Sequence, residues 1–147
     1  MLIQLHPITK HNWETCISLK VLKEQERFVA SNLYSLAESR FETTFLPLGI
    51  YAENKMIGFA MVGKDPNDGV YWLVRFMVDK AHQGKGYGFA ALQIVLSFMK
   101  SRYDVSPFLL LGVNPENVQA IRLYQKAGFI HTGKVENGEA LYRLGIY

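Results

Sequence analysis

One stretch constrains the fold of this chain more than any other: Val70 to Ser101, VYWLVRFMVDKAHQGKGYGFAALQIVLSFMKS. The run from Val70 to Val78, apolar except for Arg75, has the length and residue types of a strand. A polar step, Asp79-Lys80-Ala81-His82, leads into Gln83-Gly84-Lys85-Gly86-Tyr87-Gly88, after which Phe89 to Met99 stays apolar over a helical length. Three glycines in five residues let the backbone take positive φ and lie close against a ligand. The first N–H groups of the helix have no partner within it and face the turn with partial positive charge. The turn therefore suits a phosphate or pyrophosphate, with Lys80 and Lys85 adding charge nearby. The Walker pattern fails because Gly84-Lys85 is followed by Gly86, with no hydroxyl for a metal. The dinucleotide spacing fails because the glycines stand at 84, 86 and 88. The pattern present is Gln-x-x-Gly-x-Gly, at Gln83, Gly86 and Gly88.

The remaining elements are read around this unit. Leu2 to His6 is a short strand ended by Pro7, and Thr9 caps a helix predicted to run to about Glu24. Gln25 to Ala30 is a connector, and Ser31 or Asn32 caps a second helix with Leu33, Leu36 and Ala37 on one side. Leu46 to Ala52 and Met56 to Gly63 form a hairpin around Glu53-Asn54-Lys55, and Asp65 to Gly69 turns the chain into the strand at Val70. Phe108 to Val113 is a buried strand, so its neighbour across the crossover helix should be parallel to it. Asn114-Pro115-Glu116-Asn117 opens a helix that Gly128 stops. Phe129 to Val135 and Ala140 to Tyr147 flank the hairpin signal Asn137-Gly138. The order β-α-α-β-β-β-α-β-α-β-β predicts an α+β domain over residues 1–147, built on one mixed, twisted sheet.

Composition excludes several classes of function. Residues are 49% hydrophobic and 20% charged, a globular profile. The apolar runs are too short for a membrane span and the N-terminus lacks signal-peptide regions, so a cytoplasmic protein without a membrane partner is expected. The net charge of +3 is scattered, which argues against a nucleic-acid partner. Cys16, the single cysteine, reads as a buried structural thiol. His6, His11, His82 and His131 are dispersed, so no metal site is expected.

A second constellation lies in Leu111-Gly112-Val113-Asn114-Pro115-Glu116-Asn117 and Ala120 to Phe129. Asn117 and Tyr124 are two helical turns apart and share a face. That spacing suits either a ligand-facing pair or a core aromatic with an early-turn asparagine. With Gln83-x-x-Gly86-x-Gly88, the run Asn114-x-x-Asn117 followed by Leu123-Tyr124-x-Lys126-x-Gly128-Phe129 resembles the GCN5-related N-acetyltransferases, in the family's order and over nearly the whole chain. The resemblance implies a mostly antiparallel sheet flanked by helices, acetyl-CoA as co-substrate, no metal, and direct attack by an amine in a ternary complex. It implies that backbone from Gln83 to Phe89 (Gly84, Lys85, Gly86, Tyr87 and Gly88 included) holds the pyrophosphate. Phe76-Met77-Val78 would offer backbone to the pantetheine arm, Asn117 would touch that arm, and Tyr124 would sit by the sulfur as general acid.

The carboxylate that some polyamine-acetylating members carry before the oxyanion segment is missing, since Val74 and Arg75 stand there. A water held by Glu24, Glu26 or another carboxylate near the first-helix joint would then take the proton, or Arg75 would pair with such a carboxylate. Lys23 to Ala37, with Asp65-Pro66-x-Asp68-Gly69 and Tyr71-Trp72, resembles small bacterial spermine/spermidine acetyltransferases. Glu24, Glu26, Glu38 and Glu42 with Phe28, Tyr34 and Trp72 suit a flexible polycation, although Lys23, Arg27 and Arg40 interleave as on a solvated face. Alternatives are another amine acceptor (an aminoglycoside-type drug or a protein N-terminus) and an acyl-CoA-binding module without turnover. The resemblance also implies a homodimer, with the final strand as a candidate edge.

Overall fold

The computed structural model describes residues 2–105 and 107–146. Its strands are β1 (Ile3–Pro7), β2 (Leu46–Ala52), β3 (Lys55–Lys64), β4 (Tyr71–Val78), β5 (Phe108–Val113), β6 (Ile130–Glu136) and β7 (Glu139–Gly145). Its α-helices are α1 (Trp13–Ser18), α2 (Asn32–Phe41), α3 (Tyr87–Arg102) and α4 (Val118–Lys126), with 3-10 segments at Lys23–Phe28 and Lys80–His82. The strands form one sheet in the order β1-β2-β3-β4-β5-β7-β6. Every neighbouring pair is antiparallel except β4 and β5, which the α3 crossover makes parallel. Glu53-Asn54 and Asn137-Gly138 all have positive φ, the twist that two-residue hairpins need.

Helices cover both sheet faces, which is why β3 is apolar almost without alternation. On one face α3 buries Ala91, Leu92, Val95, Leu96 and Met99 against β2 to β5 and β7. On the other, Cys16 packs with Met56, Phe59, Met61 and Met77. Burial pushes the Cys16 thiol up to about 12, the behaviour of a structural cysteine.

Four local expectations are corrected. Helix α1 spans only Trp13–Ser18, because the chain after it is captured elsewhere: the Lys20 N–H donates to Asp79 Oδ1 (2.9 Å) and the Lys20 carbonyl accepts from the Lys80 N–H (2.7 Å). Helix α2 buries Asn32 and Ser35 and leaves Leu33 exposed, since the Asn32 amide donates to the Cys16 carbonyl at 2.9 Å. Helix α4 is capped by Asn117; Asn114 instead makes a turn before it, its side-chain oxygen accepting from the Glu116 N–H. The final strand is no edge: β7 lies between β5 and β6, so β6 and β1 are the sheet edges. Tyr147 lies outside the described residues.

Candidate active site

The cleft originates in β4. Along one side β4 pairs with β3 from Tyr71↔Lys64 to Val78↔Gly58, but on the other it registers with β5 only at Trp72↔Leu110. Val62 pairs with Leu73 and Met61 with Arg75, so Val74 is an extra residue, a β-bulge. Bulges bend a strand and re-aim its side chains. Here the bulge puts Arg75 on the face of Trp72 and Met77, and beyond it β4 and β5 part. The opening is a cleft of about 880 Å³ lined by Phe76, Met77 and Val78 on one wall and Asn117, Ala120 and Tyr124 of α4 on the other.

At the C-terminal end of β4 stands the glycine turn. Gly84 (φ 76°) and Gly86 (φ 82°) are both left-handed, and Gly86 caps α3 without any side-chain hydrogen bond. The leading N–H groups of this sixteen-residue helix are thus left to a ligand. A Cβ on Gly84 would meet nothing within 4 Å, so the turn is open, and Gln83 Nε2 ties it to the end of β4 by donating to the Val78 carbonyl at 3.0 Å. Gln83, Gly84 and Gly88 line the cleft. Lys85, Gly86, Tyr87 and Phe89 do not: Tyr87 packs against the core, and the Phe89 ring carries Lys126 Nζ at 4.3 Å from its centroid. Lys126, beside this turn, and Arg122, one helical turn before it on α4, also line the cleft and were missed in the sequence. Their i,i+4 spacing on α4 is the signal that could have found them. An open, cation-flanked backbone cradle of this kind fits a phosphate-bearing cofactor.

Asn117 lines the cleft while its side-chain oxygen caps α4 by accepting from the Ala120 N–H. Tyr124 is buried with its ring edge against Phe129, and burial first, then the negative charge of Glu139, raises its pKa.

The acceptor side differs from the sequence expectation. In the 3-10 segment Lys23–Phe28 residues three apart share a face. Gln25 and Phe28 line the cleft, whereas Glu24 and Glu26 point out to solvent. This segment is tied across the cleft mouth. Gln25 Nε2 donates to Gln83 Oε1 (3.1 Å) and Gln119 Oε1 (3.2 Å), Gln83 Nε2 donates back to Gln25 Oε1 (2.9 Å), and Arg27 pairs with Glu116 at 2.8 Å. Tyr34 is 59% exposed and outside the cleft, because α2 turns Asn32 and Ser35 inward. Trp72 and Arg75 do line it. Arg75 donates to Glu38 Oε1 at 3.1 Å, so its carboxylate partner comes from α2. The indole N–H of Trp72 and Nε of Arg75 are buried without a partner.

The carboxylates that line the cleft are Glu42, Asp65 and Glu139. Glu42 follows α2 and Asp65 closes the turn before β4, where its N–H donates to the Val70 carbonyl. Glu139 opens β7 and reaches over Gly112: a Cβ there would lie 2.8 Å from Glu139 Oε1. Glu139 is an exposed residue, yet partial burial of its carboxyl raises its pKa, with Arg75 acting the other way. Among the described residues no group of three or more His, Cys, Asp or Glu could hold a metal ion, and no helix is long and apolar enough to cross a membrane.

The bulged strand that parts from β5 faces a glycine turn with no side-chain cap, and the sequence model of the Acetyltransferase (GNAT) family matches residues 6–129. The chain belongs to this family and is an acetyl-CoA-dependent N-acetyltransferase. It is 32% identical to the spermine/spermidine N(1)-acetyltransferase of Bacillus subtilis (strain 168) over 146 residues, 95% of each chain. In fold it is similar to spermidine N-acetyltransferase from Vibrio cholerae in complex with CoA and spermine (TM-score 0.73, 17% identity, 98% of this chain and 94% of that one). It is likewise similar to an aminoglycoside acetyltransferase in complex with coenzyme A (TM-score 0.78, 18% identity, 97% and 93%).

Proposed function

We propose that this enzyme transfers the acetyl group of acetyl-CoA to a primary amine of a polyamine such as spermine or spermidine, by direct attack in a ternary complex. The observation that carries this reading is the charge polarity of the cleft along β4. Asp65 and Glu42 lie toward the Tyr71 end, since the Asp65 N–H donates to the Val70 carbonyl and Thr44, two residues after Glu42, donates to the carbonyl of Lys64, opposite Tyr71. Lys126, with Arg122 one turn before it on α4, lies by the glycine turn that follows Val78. These ends are about 25 Å apart at the rise of a strand. A polyanionic cofactor and a polycationic acceptor can therefore approach from opposite ends and meet beside Tyr124. The 32% identity to a spermine/spermidine acetyltransferase supports the same acceptor class.

Backbone from Gln83 to Phe89, with Arg122 and Lys126, would hold the phosphates; backbone of Phe76 to Val78 and Asn117 would hold the pantetheine arm. When bound, acetyl-CoA supplies an activated thioester. Backbone N–H groups past the bulge, freed from β5, can donate to the charge that builds on its carbonyl oxygen. Tyr124, its pKa raised by burial, keeps its proton near neutral pH and can give it to the departing sulfur.

The test is free-thiol release from acetyl-CoA with spermine, spermidine, a lysine-bearing peptide and an aminoglycoside in parallel. Release with the two polyamines alone is expected. Release only with another amine would discard the polyamine acceptor, and silence with all four would overturn the reading.

A further inference from the structure

The strand position where some polyamine-acetylating members of the family carry a carboxylate holds Val74 and Arg75, yet the acceptor ammonium must lose a proton close to Tyr124 before it can attack. We propose that Glu139 takes that proton, an assignment that rests on the acetyl-transfer reading above. Four observations converge on it. Trp72 pairs with Leu110 and Gly112 with Leu141, and strand alternation then places Trp72, Arg75, Gly112 and Glu139 on one face of the sheet. Gly112 has no side chain, and the Glu139 carboxylate occupies the room that leaves, inside the cleft. Among the carboxylates lining the cleft, Glu139 is the one whose charge bears on Tyr124, so it stands at the reacting centre rather than at the Glu42 and Asp65 end. Finally, Arg75 does not neutralise the site, because it is already bonded to Glu38. Two carboxylates share one guanidinium, and a net negative charge remains to receive an ammonium.

The charged and titratable groups around Glu139 are Arg75 on β4, Tyr124 on α4 and Glu136, opposite it on β6. Burial, opposed by Arg75, places its titration above the ordinary carboxylate range, which makes it a better proton acceptor. The step balances as follows. An N–H bond of the ammonium breaks and an O–H bond forms on Glu139. The freed nitrogen pair forms the bond to the acetyl carbon, and the carbon–sulfur bond breaks toward sulfur. The Tyr124 hydroxyl proton goes to that sulfur, the second nitrogen proton returns to the Tyr124 oxygen, and Glu139 releases its proton to water.

The experiment compares wild type, Glu139→Gln and Glu136→Gln by kcat and kcat/KM for spermine against pH, acetyl-CoA affinity by calorimetry, and thermal unfolding. Glu139→Gln should lower kcat about 100-fold or more near pH 7, with acetyl-CoA affinity within about twofold of wild type. The acidic limb of its profile should move to higher pH, with activity recovering only as the amine deprotonates unaided. Glu136→Gln should behave as wild type. A Glu139→Gln enzyme with wild-type kcat and profile would overturn the assignment, as would a rate loss matched by an equal loss of acetyl-CoA affinity or of fold. Failure of the polyamine reading would show in the wild type, which would then release no thiol with spermine; the same comparison on whichever amine is accepted still decides the role of Glu139.

Discussion

Tyr124 and Cys16 are both buried groups whose neutral forms the fold favours, with different consequences. For Tyr124 the consequence is catalytic. Tyr124→Phe should lower kcat by about 100-fold or more, the range of a lost general acid, while the acetyl-CoA dissociation constant stays within about twofold. Thiol release and calorimetry on the same preparation check this, and an equal loss in both would make the hydroxyl a binding or packing group. For Cys16 the consequence is stability. Its folded value is raised from 9.0 to about 12, so its contribution is complete below pH 9 and is lost as pH rises toward 12. Near pH 10.5 the wild type should have lost about 2 kcal/mol through this group, and Tyr124 acts in the same direction at higher pH. Urea unfolding at about pH 8 and about pH 10.5 should show a smaller alkaline loss in Cys16→Ala than in wild type.

The α3 turn, the bulged β4 and the 3-10 strap are the elements that build the cleft, and they were unequally legible in the sequence. The turn was plain because it needs residues of unusual type at fixed spacing. Gly86 caps α3 at φ 82°, which a β-branched residue tolerates poorly, so Gly86→Val should weaken acetyl-CoA binding by at least about tenfold. Calorimetry reads this directly, and retained affinity would count against an anion-binding turn. The strap was not legible: its amide contacts join Gln25 to Gln83 and Gln119, up to 94 residues apart, and no local pattern records them. With about 1 kcal/mol per hydrogen bond, Gln25→Ala should raise hydrogen exchange across Lys23–Phe28 about tenfold or more. Glu139 escaped for a similar reason. It faces Gly112 only because β7 slots between β5 and β6, a tertiary event that also moved the predicted edge from the last strand to β6. Charge alone favours Glu24 and Glu26 over Gln25, and the period of the 3-10 segment reverses that choice while keeping Phe28 in the cleft.

At the scale of the whole molecule, a net charge of +3 conceals a separation of charge inside one cleft. The sheet creates it by parting β4 from β5, so that loops from the β2–β4 side and helix α4 line opposite ends of the same opening. Steady-state kinetics of the Glu42→Gln, Asp65→Asn double variant tests this most directly. Two partly exposed charge contacts at about 0.7 kcal/mol each correspond to about a tenfold effect. KM for spermine should rise about tenfold, and KM for acetyl-CoA should stay at the wild-type value. An unchanged KM for spermine, or a loss falling on acetyl-CoA instead, would contradict the proposed meeting of polycation and polyanion at Tyr124.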